Sequence, residues 1–192
     1  MKKIALNLFA LTITAALLVS CSSESVNDEM TSLNSTTNVF EKQDIRQNDL
    51  VGTWKIKAMN SDVAVDLDAD GTSNTNILEE TTCFDNLFFN FNAEGGVLAH
   101  QARLNFVDGE MQCDGEGDYA ATYEVAGNEL SVSFQSGETT LTFTKTIGLS
   151  TVDGAMYLHV AIEDYEVEEL VKDPGNTSVS SINRIEMIYK KQ

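Results

Sequence analysis

From Leu50 to the end of the chain, apolar residues recur at every second position. Trp54, Ile56 and Ala58 interleave with Thr53, Lys55 and Lys57. Side chains two apart in an extended strand point to the same side, so this spacing predicts half-buried strands rather than helices. The pattern repeats through Leu87, Phe89 and Phe91, and then through Leu98, His100, Ala102, Leu104 and Phe106. It continues through Tyr119, Ala121, Tyr123 and Val125, then Leu130, Val132 and Phe134, then Leu141, Phe143 and Ile147. Met156, Leu158, Val160 and Ile162 make the next run, and Ile185, Met187 and Tyr189 close it. That is eight strands, punctuated at Glu94-Gly95-Gly96, Gly127-Asn128, Ser136-Gly137 and Asp153-Gly154. One short helix is expected, capped by Asn76 with Glu79 three residues on. Eight one-sided antiparallel strands in meander order fit an all-β up-and-down barrel, because closure leaves no unpaired edge. A two-sheet sandwich is the rival arrangement.

Meander order also sorts the connections by end. Segments 93–96, 126–128 and 149–154 are tight and share one end. Segments 61–85, 107–118, 135–138 and 164–181 share the other, which becomes a loop-rich mouth. The chain enters the first strand at the tight end.

What precedes residue 50 has a different composition. Met1-Lys2-Lys3 is basic, and Ile4 to Val19 is mostly apolar, interrupted by Asn7, Thr12 and Thr14. The run is short and broken for a membrane span, and residues 1–20 read as a secretory signal peptide. It ends in Leu18-Val19-Ser20-Cys21, which resembles the cleavage box of bacterial lipoproteins, in which the Cys becomes the acylated first residue. Several acyl chains on Cys21 would anchor the protein to a membrane, at about 0.8 kcal/mol per buried CH₂. Residues 21–49 are rich in Ser, Thr, Asn and acids with scattered apolar residues, and are expected to form a flexible linker. Ser22 stands where an Asp would be the familiar inner-membrane retention signal, so the lipoprotein resemblance implies the cell envelope, at the outer membrane.

Gly52-Thr53-Trp54, opening the first of eight strands, resembles the G-x-W signature of lipocalins. The chain is most similar to the lipocalin-like domains of Gram-negative bacterial lipoproteins. Those often carry a D-x-[DN]-x-D-G stretch and then a Cys after the first strand. Asp66-Leu67-Asp68-Ala69-Asp70-Gly71 and Cys83 match that order, and the resemblance spans residues 50–192. It implies a barrel that binds a small molecule. Trp54, Phe89, Phe91, His100, Phe106, Tyr119, Tyr123, Phe134 and Phe143 are the expected interior residues. An eight-stranded barrel is either filled by its side chains or holds one small ligand, and the large rings leave both open.

The chemistry-bearing residues gather at the mouth. Of three cysteines, Cys21 is taken by lipid. Cys83 and Cys113 are expected to pair in an exported, oxidising setting. Three mouth segments carry seventeen acids: Asp62, Asp66, Asp68, Asp70, Glu79, Glu80 and Asp85; Asp108, Glu110, Asp114, Glu116 and Asp118; and Asp164, Glu166, Glu168, Glu169 and Asp173, against Lys172. Asp66, Asp68 and Asp70 occupy positions 1, 3 and 5 of a calcium loop, with Gly71 at the turn. Thr72 and Asn74 offer further oxygens, and Glu79 or Glu80 would have to supply the late carboxylate, with Glu79 the favoured one, since position 12 is Ile77. A calcium site and a solvated acidic turn both fit this segment.

Twelve basic against thirty acidic residues, a formal charge of −18, exclude the phosphate-neutralising surface that nucleic-acid binding requires. The same balance opposes docking on anionic lipid. Loss of Lys2 and Lys3 with the signal peptide takes the charge to −20. The two histidines are expected on opposite faces, His100 inward and His159 outward, and no nucleophile–base motif occurs, so an enzyme is not expected. Two functions remain: a carrier of a small molecule, or a packed barrel presenting acidic loops to an envelope protein partner.

Overall fold

The computed structural model describes residues 40–41, 43–163, 165–172 and 181–192, with only the backbone at Tyr165 and Lys172. The expected signal peptide, Cys21, most of the expected linker, Asp164 and Asp173 lie outside these residues. A short helix α1 (Gln47–Leu50) leads into β1 (Gly52–Val65). Then come β2 (Asn74–Asn76), a 3₁₀ turn (Ile77–Glu79), β3 (Phe88–Phe91), β4 (Gly96–Val107), β5 (Glu110–Ala126) and β6 (Glu129–Ser136). β7 (Thr139–Val152), β8 (Ala155–Glu163), helix α2 (Tyr165–Leu170), β9 (Val171–Lys172) and β10 (Arg184–Lys191) complete the chain.

β1, β3, β4, β5, β6, β7, β8 and β10 pair in that order, and β10 returns to β1 from Trp54 opposite Lys191 to Ser61 opposite Ile185. The eight expected strands therefore form a closed antiparallel barrel rather than a sandwich. β2 hangs on the far end of β1, and β9 pairs with β4 in parallel at Leu104 and Asn105, beyond the reach of β3.

The sorted connections hold, with one correction. The tight end contains Asn92–Gly95, Gly127–Asn128 and Asp153–Gly154. Segment 107–118 is not a loop: β4 and β5 stay paired to Val107 and Glu110, joined by Asp108 and Gly109. Both turn residues have positive φ, 54° and 83°, the twist a two-residue hairpin needs. Acidic, Gly-containing composition here marks solvent on one face of a hairpin, not the loss of strand pairing. The expected helix at Asn76 is a single 3₁₀ turn in which the Asn76 side chain accepts from Leu78 N–H.

The chain is joined to the tight end from Gln43 onward. Gln43 bonds both the N–H and the carbonyl of Leu149, Ile45 N–H donates to Gly127 O, and Ile45 is buried. Among the described residues, no helix is long and apolar enough to cross a membrane.

Candidate functional site

Register decides which side chains meet inside. Residues directly opposite one another across strands share a face. Trp54 faces Phe89, Phe89 faces Ala99, and Ala99 faces Tyr119. The inward rows continue through Tyr123, Val132, Phe143, Val160 and Met187.

At the tight end these rows fill the barrel. Trp54 is fully buried and donates Nε1–H to the Leu50 carbonyl at 2.6 Å, with Lys191 Nζ 5.0 Å from the ring centroid. Phe91 meets Tyr123 edge-on at 4.7 Å, and Phe89 lies 4.9 Å from Tyr189. Burial pushes the Tyr189 hydroxyl well above the ordinary tyrosine range. These rings form a floor.

Above the floor the interior opens into a cavity of two overlapping lobes, about 450 and 350 Å³. Phe89, Gln101, Arg103, Phe134, Phe143, Lys145 and Val160 border both lobes. Phe134 and Phe143 stack at 5.3 Å with planes 10° apart. Phe143 and Tyr119 point inward yet remain 46% and 47% exposed, because the cavity reaches solvent at the mouth. Of the expected interior residues, Trp54, Phe91 and Tyr123 build the floor, whereas Phe89, Tyr119, Phe134 and Phe143 line the cavity.

His100 and Phe106 are not in the inward row. His100 stands opposite Phe88 and Asp118, on the face turned away from Phe89, and borders the cavity only beside the strand irregularity at Gln101–Arg103. Its Nδ1 lies 2.6 Å from Asp118 and its ring stacks on Phe88 at 5.9 Å. Phe106 sits opposite Met111 on the projecting hairpin. The apolar row of β4 is genuine, but it is buried from outside. Ala102 and Leu104 are covered in a region where Cys83 bonds to Cys113 and Cys83 Sγ sits 3.3 Å from the Arg103 carbonyl oxygen. Leu104 stands opposite Cys113. The inward row of β4 is instead Val97, Ala99, Gln101 and then Arg103.

Two cations thereby reach the cavity. Lys145 falls between Phe143 and Ile147 on the inward face of β7, and burial holds its ammonium below the usual lysine value. It pairs with Glu166 on α2, and the two side chains are only 20% and 21% exposed. Arg103 reaches Glu169 of the same helix more loosely, at 3.9 Å. Lys145 was legible as the missing member of the row Leu141, Phe143, Ile147; Arg103 was not, because the parity of β4 is hidden by its outer covering.

The expected calcium ligands separate. Asp66, Asp68 and Glu80 each bring a carboxylate oxygen within 4.8 Å of the others. Asp66 Oδ1 is buried and has no hydrogen-bond partner. Asp70 accepts from Thr72 N–H, Asn74 donates to Glu80 Oε1, and Glu79 accepts from Asn76, so these side chains serve the turn itself. Of the two candidate late carboxylates it is Glu80, buried and also accepting from Leu67 N–H, and not the favoured Glu79, that lies beside Asp66 and Asp68.

On the outer wall His159 Nε2 lies 2.8 Å from Ser150 Oγ and Nδ1 lies 2.8 Å from Glu186. The order hydroxyl–imidazole–carboxylate resembles a nucleophile with its base. His159 is 1% exposed, however, and the chain of bonds satisfies buried polar groups without offering an approach to a substrate.

A model of the lipocalin-like domain matches residues 50–151, from α1 through β7. No curated protein and no solved structure matches the chain.

Proposed function

We propose that this chain, which belongs to the lipocalin-like domain family, carries a small apolar molecule in its barrel and does so as a lipid-anchored protein of the cell envelope. The carrier reading rests on one observation, the cavity bordered by Phe89, Phe134, Phe143 and Val160 above a filled floor. Ligand sites are typically concave, mostly apolar and about 300–1,000 Å³, with a few polar groups that orient the guest. The barrel is a binding fold, and among the described residues no assembled catalytic group faces this cavity. The test is titration of the protein with the neutral fluorescent probe N-phenyl-1-naphthylamine. Saturable binding is expected, and Val132→Trp, which fills the 350 Å³ lobe that Val132 borders, should weaken it. A probe that does not bind, or that binds the filled variant equally, overturns the carrier reading.

The anchor rests on residues 1–21 alone. Cys21→Ser should release the protein from membranes into the soluble fraction, and retention of that variant in membranes would refute the lipid attachment.

A second reading concerns the mouth loop. Asp66, Asp68 and Glu80 form an oxygen-only donor set, which suits a hard cation such as calcium, and the orphaned Asp66 Oδ1 favours it. Calcium there would be structural, fixing the loop beside the disulfide.

A further inference from the structure

We infer that the molecule taken into the barrel is an anion: a flat apolar body ending in a carboxylate or similar oxyanion, seated on Lys145 and Arg103 in place of the α2 carboxylates. This rests on the carrier reading and specifies its ligand.

Only twelve basic residues are spread over a chain of formal charge −18, yet among the described residues those bordering both lobes include two of them, Arg103 and Lys145, and no acid, while Glu166 and Glu169 border the 450 Å³ lobe alone. An ammonium on an apolar inward row loses hydration, which is tolerated only when an anion faces it. The anion facing Lys145 is Glu166, and it comes from α2 rather than from the barrel wall. Glu169, also of α2, faces Arg103 more loosely, with both side chains more than half exposed.

A guest carboxylate that displaces Glu166 leaves Lys145 with the same partner chemistry. A neutral guest offers Lys145 nothing in return for that contact, and a cationic guest reaches Glu166 only by taking it from Lys145. Arg103 adds a planar, multi-donor head suited to two carboxylate oxygens.

The parallel Phe134–Phe143 pair borders the same two lobes as both cations, and its exposed ring face gives an aromatic body a surface to stack on.

The experiment uses the full chain with N-phenyl-1-naphthylamine bound, displaced by three competitors of one body and different heads: 2-naphthylacetate, 2-(2-naphthyl)ethanol and 2-(2-naphthyl)ethylammonium. The carboxylate should compete about tenfold better than the alcohol, the weight of one charge-assisted contact over a neutral one. Lys145→Met should erase that preference without weakening the alcohol. Glu166→Gln, which removes the internal competitor and leaves Lys145 in place, should strengthen the carboxylate several-fold and the alcohol not at all. Equal competition by the three heads, or a carboxylate preference untouched by both substitutions, overturns the inference and leaves the carrier reading standing. Absence of probe binding from the start refutes the carrier reading itself.

Discussion

The two ends of the barrel are built from the same alternation and do opposite things with it. At the tight end the inward positions are Trp54, Phe91, Tyr123 and Ile147, all buried, and the chain entering from Gln43 plugs the outside. At the mouth the same rows present Arg103, Tyr119, Phe143 and Lys145, which border a cavity. Residues that pack carry the stability, and residues that leave a void carry the binding. A barrel separates the two tasks along its axis, because each strand crosses both ends and can spend its bulky side chains at one of them.

The comparison breaks most directly at the floor. Trp54→Ala should cost about 3–5 kcal/mol, from lost burial and from the Leu50 carbonyl left without its donor, read by urea unfolding. A cost below about 1 kcal/mol would mean that the floor does not hold the fold.

At the mouth the largest contribution is covalent. Cys83 and Cys113 close a loop of sequence separation 30, so Cys113→Ser should cost roughly 3–4 kcal/mol on the loop-entropy account, with the barrel still assembled. Equal unfolding midpoints with and without reductant would remove the bond from the stability of this end.

Calcium is expected to act on the same loop but less strongly. With the mixed Asp66–Asp68–Glu80 set, affinity falls in the weak extracellular class, about 10⁻⁴–10⁻³ M. A few millimolar calcium then adds about 1–2 kcal/mol, which magnesium should not reproduce and Asp68→Ala should abolish. Melting that is identical with calcium and with chelator would leave the three carboxylates as a solvated turn.

Alkaline pH sharpens the contrast from the floor. The Tyr189 hydroxyl is raised above its ordinary value by burial, so the folded state holds its proton where the unfolded chain releases it. Its contribution is fully present below about pH 10 and is lost above it, at about 1.4 kcal/mol per pH unit. Tyr189→Phe should flatten that decline, and an unchanged slope would show that other groups set it.

The smallest stability effect is expected where the largest binding effect lies. Lys145→Met removes a partly desolvated ammonium and one contact of Glu166, a carboxylate that keeps 21% exposure, so stability should move by less than about 1 kcal/mol. A larger loss would make Lys145 a structural residue of the mouth.

Much of this molecule is written in two-residue alternation. The eight strands, their order and the tight and open ends follow from local spacing, and Cys83–Cys113 is the pairing the sequence led us to expect. Side-chain direction in a strand is fixed by the backbone within two residues, and hairpins of a few residues permit little other than neighbouring antiparallel strands. What no strand records is what covers its other face. β4 carries its stronger apolar row outward, because the Cys83 segment buries it, and this turns His100 out of the interior and Arg103 into it. The hairpin at Asp108–Gly109 likewise stays paired through an acidic stretch because the partner strand, not composition, supplies its hydrogen bonds. The meeting of Lys145 with Glu166 joins β7 to a helix 21 residues later, and only closure of the barrel brings that helix over the mouth. Local sequence set the elements and their ends; which face is inside, and which charges share the cavity, were decided by contacts between segments far apart in the chain.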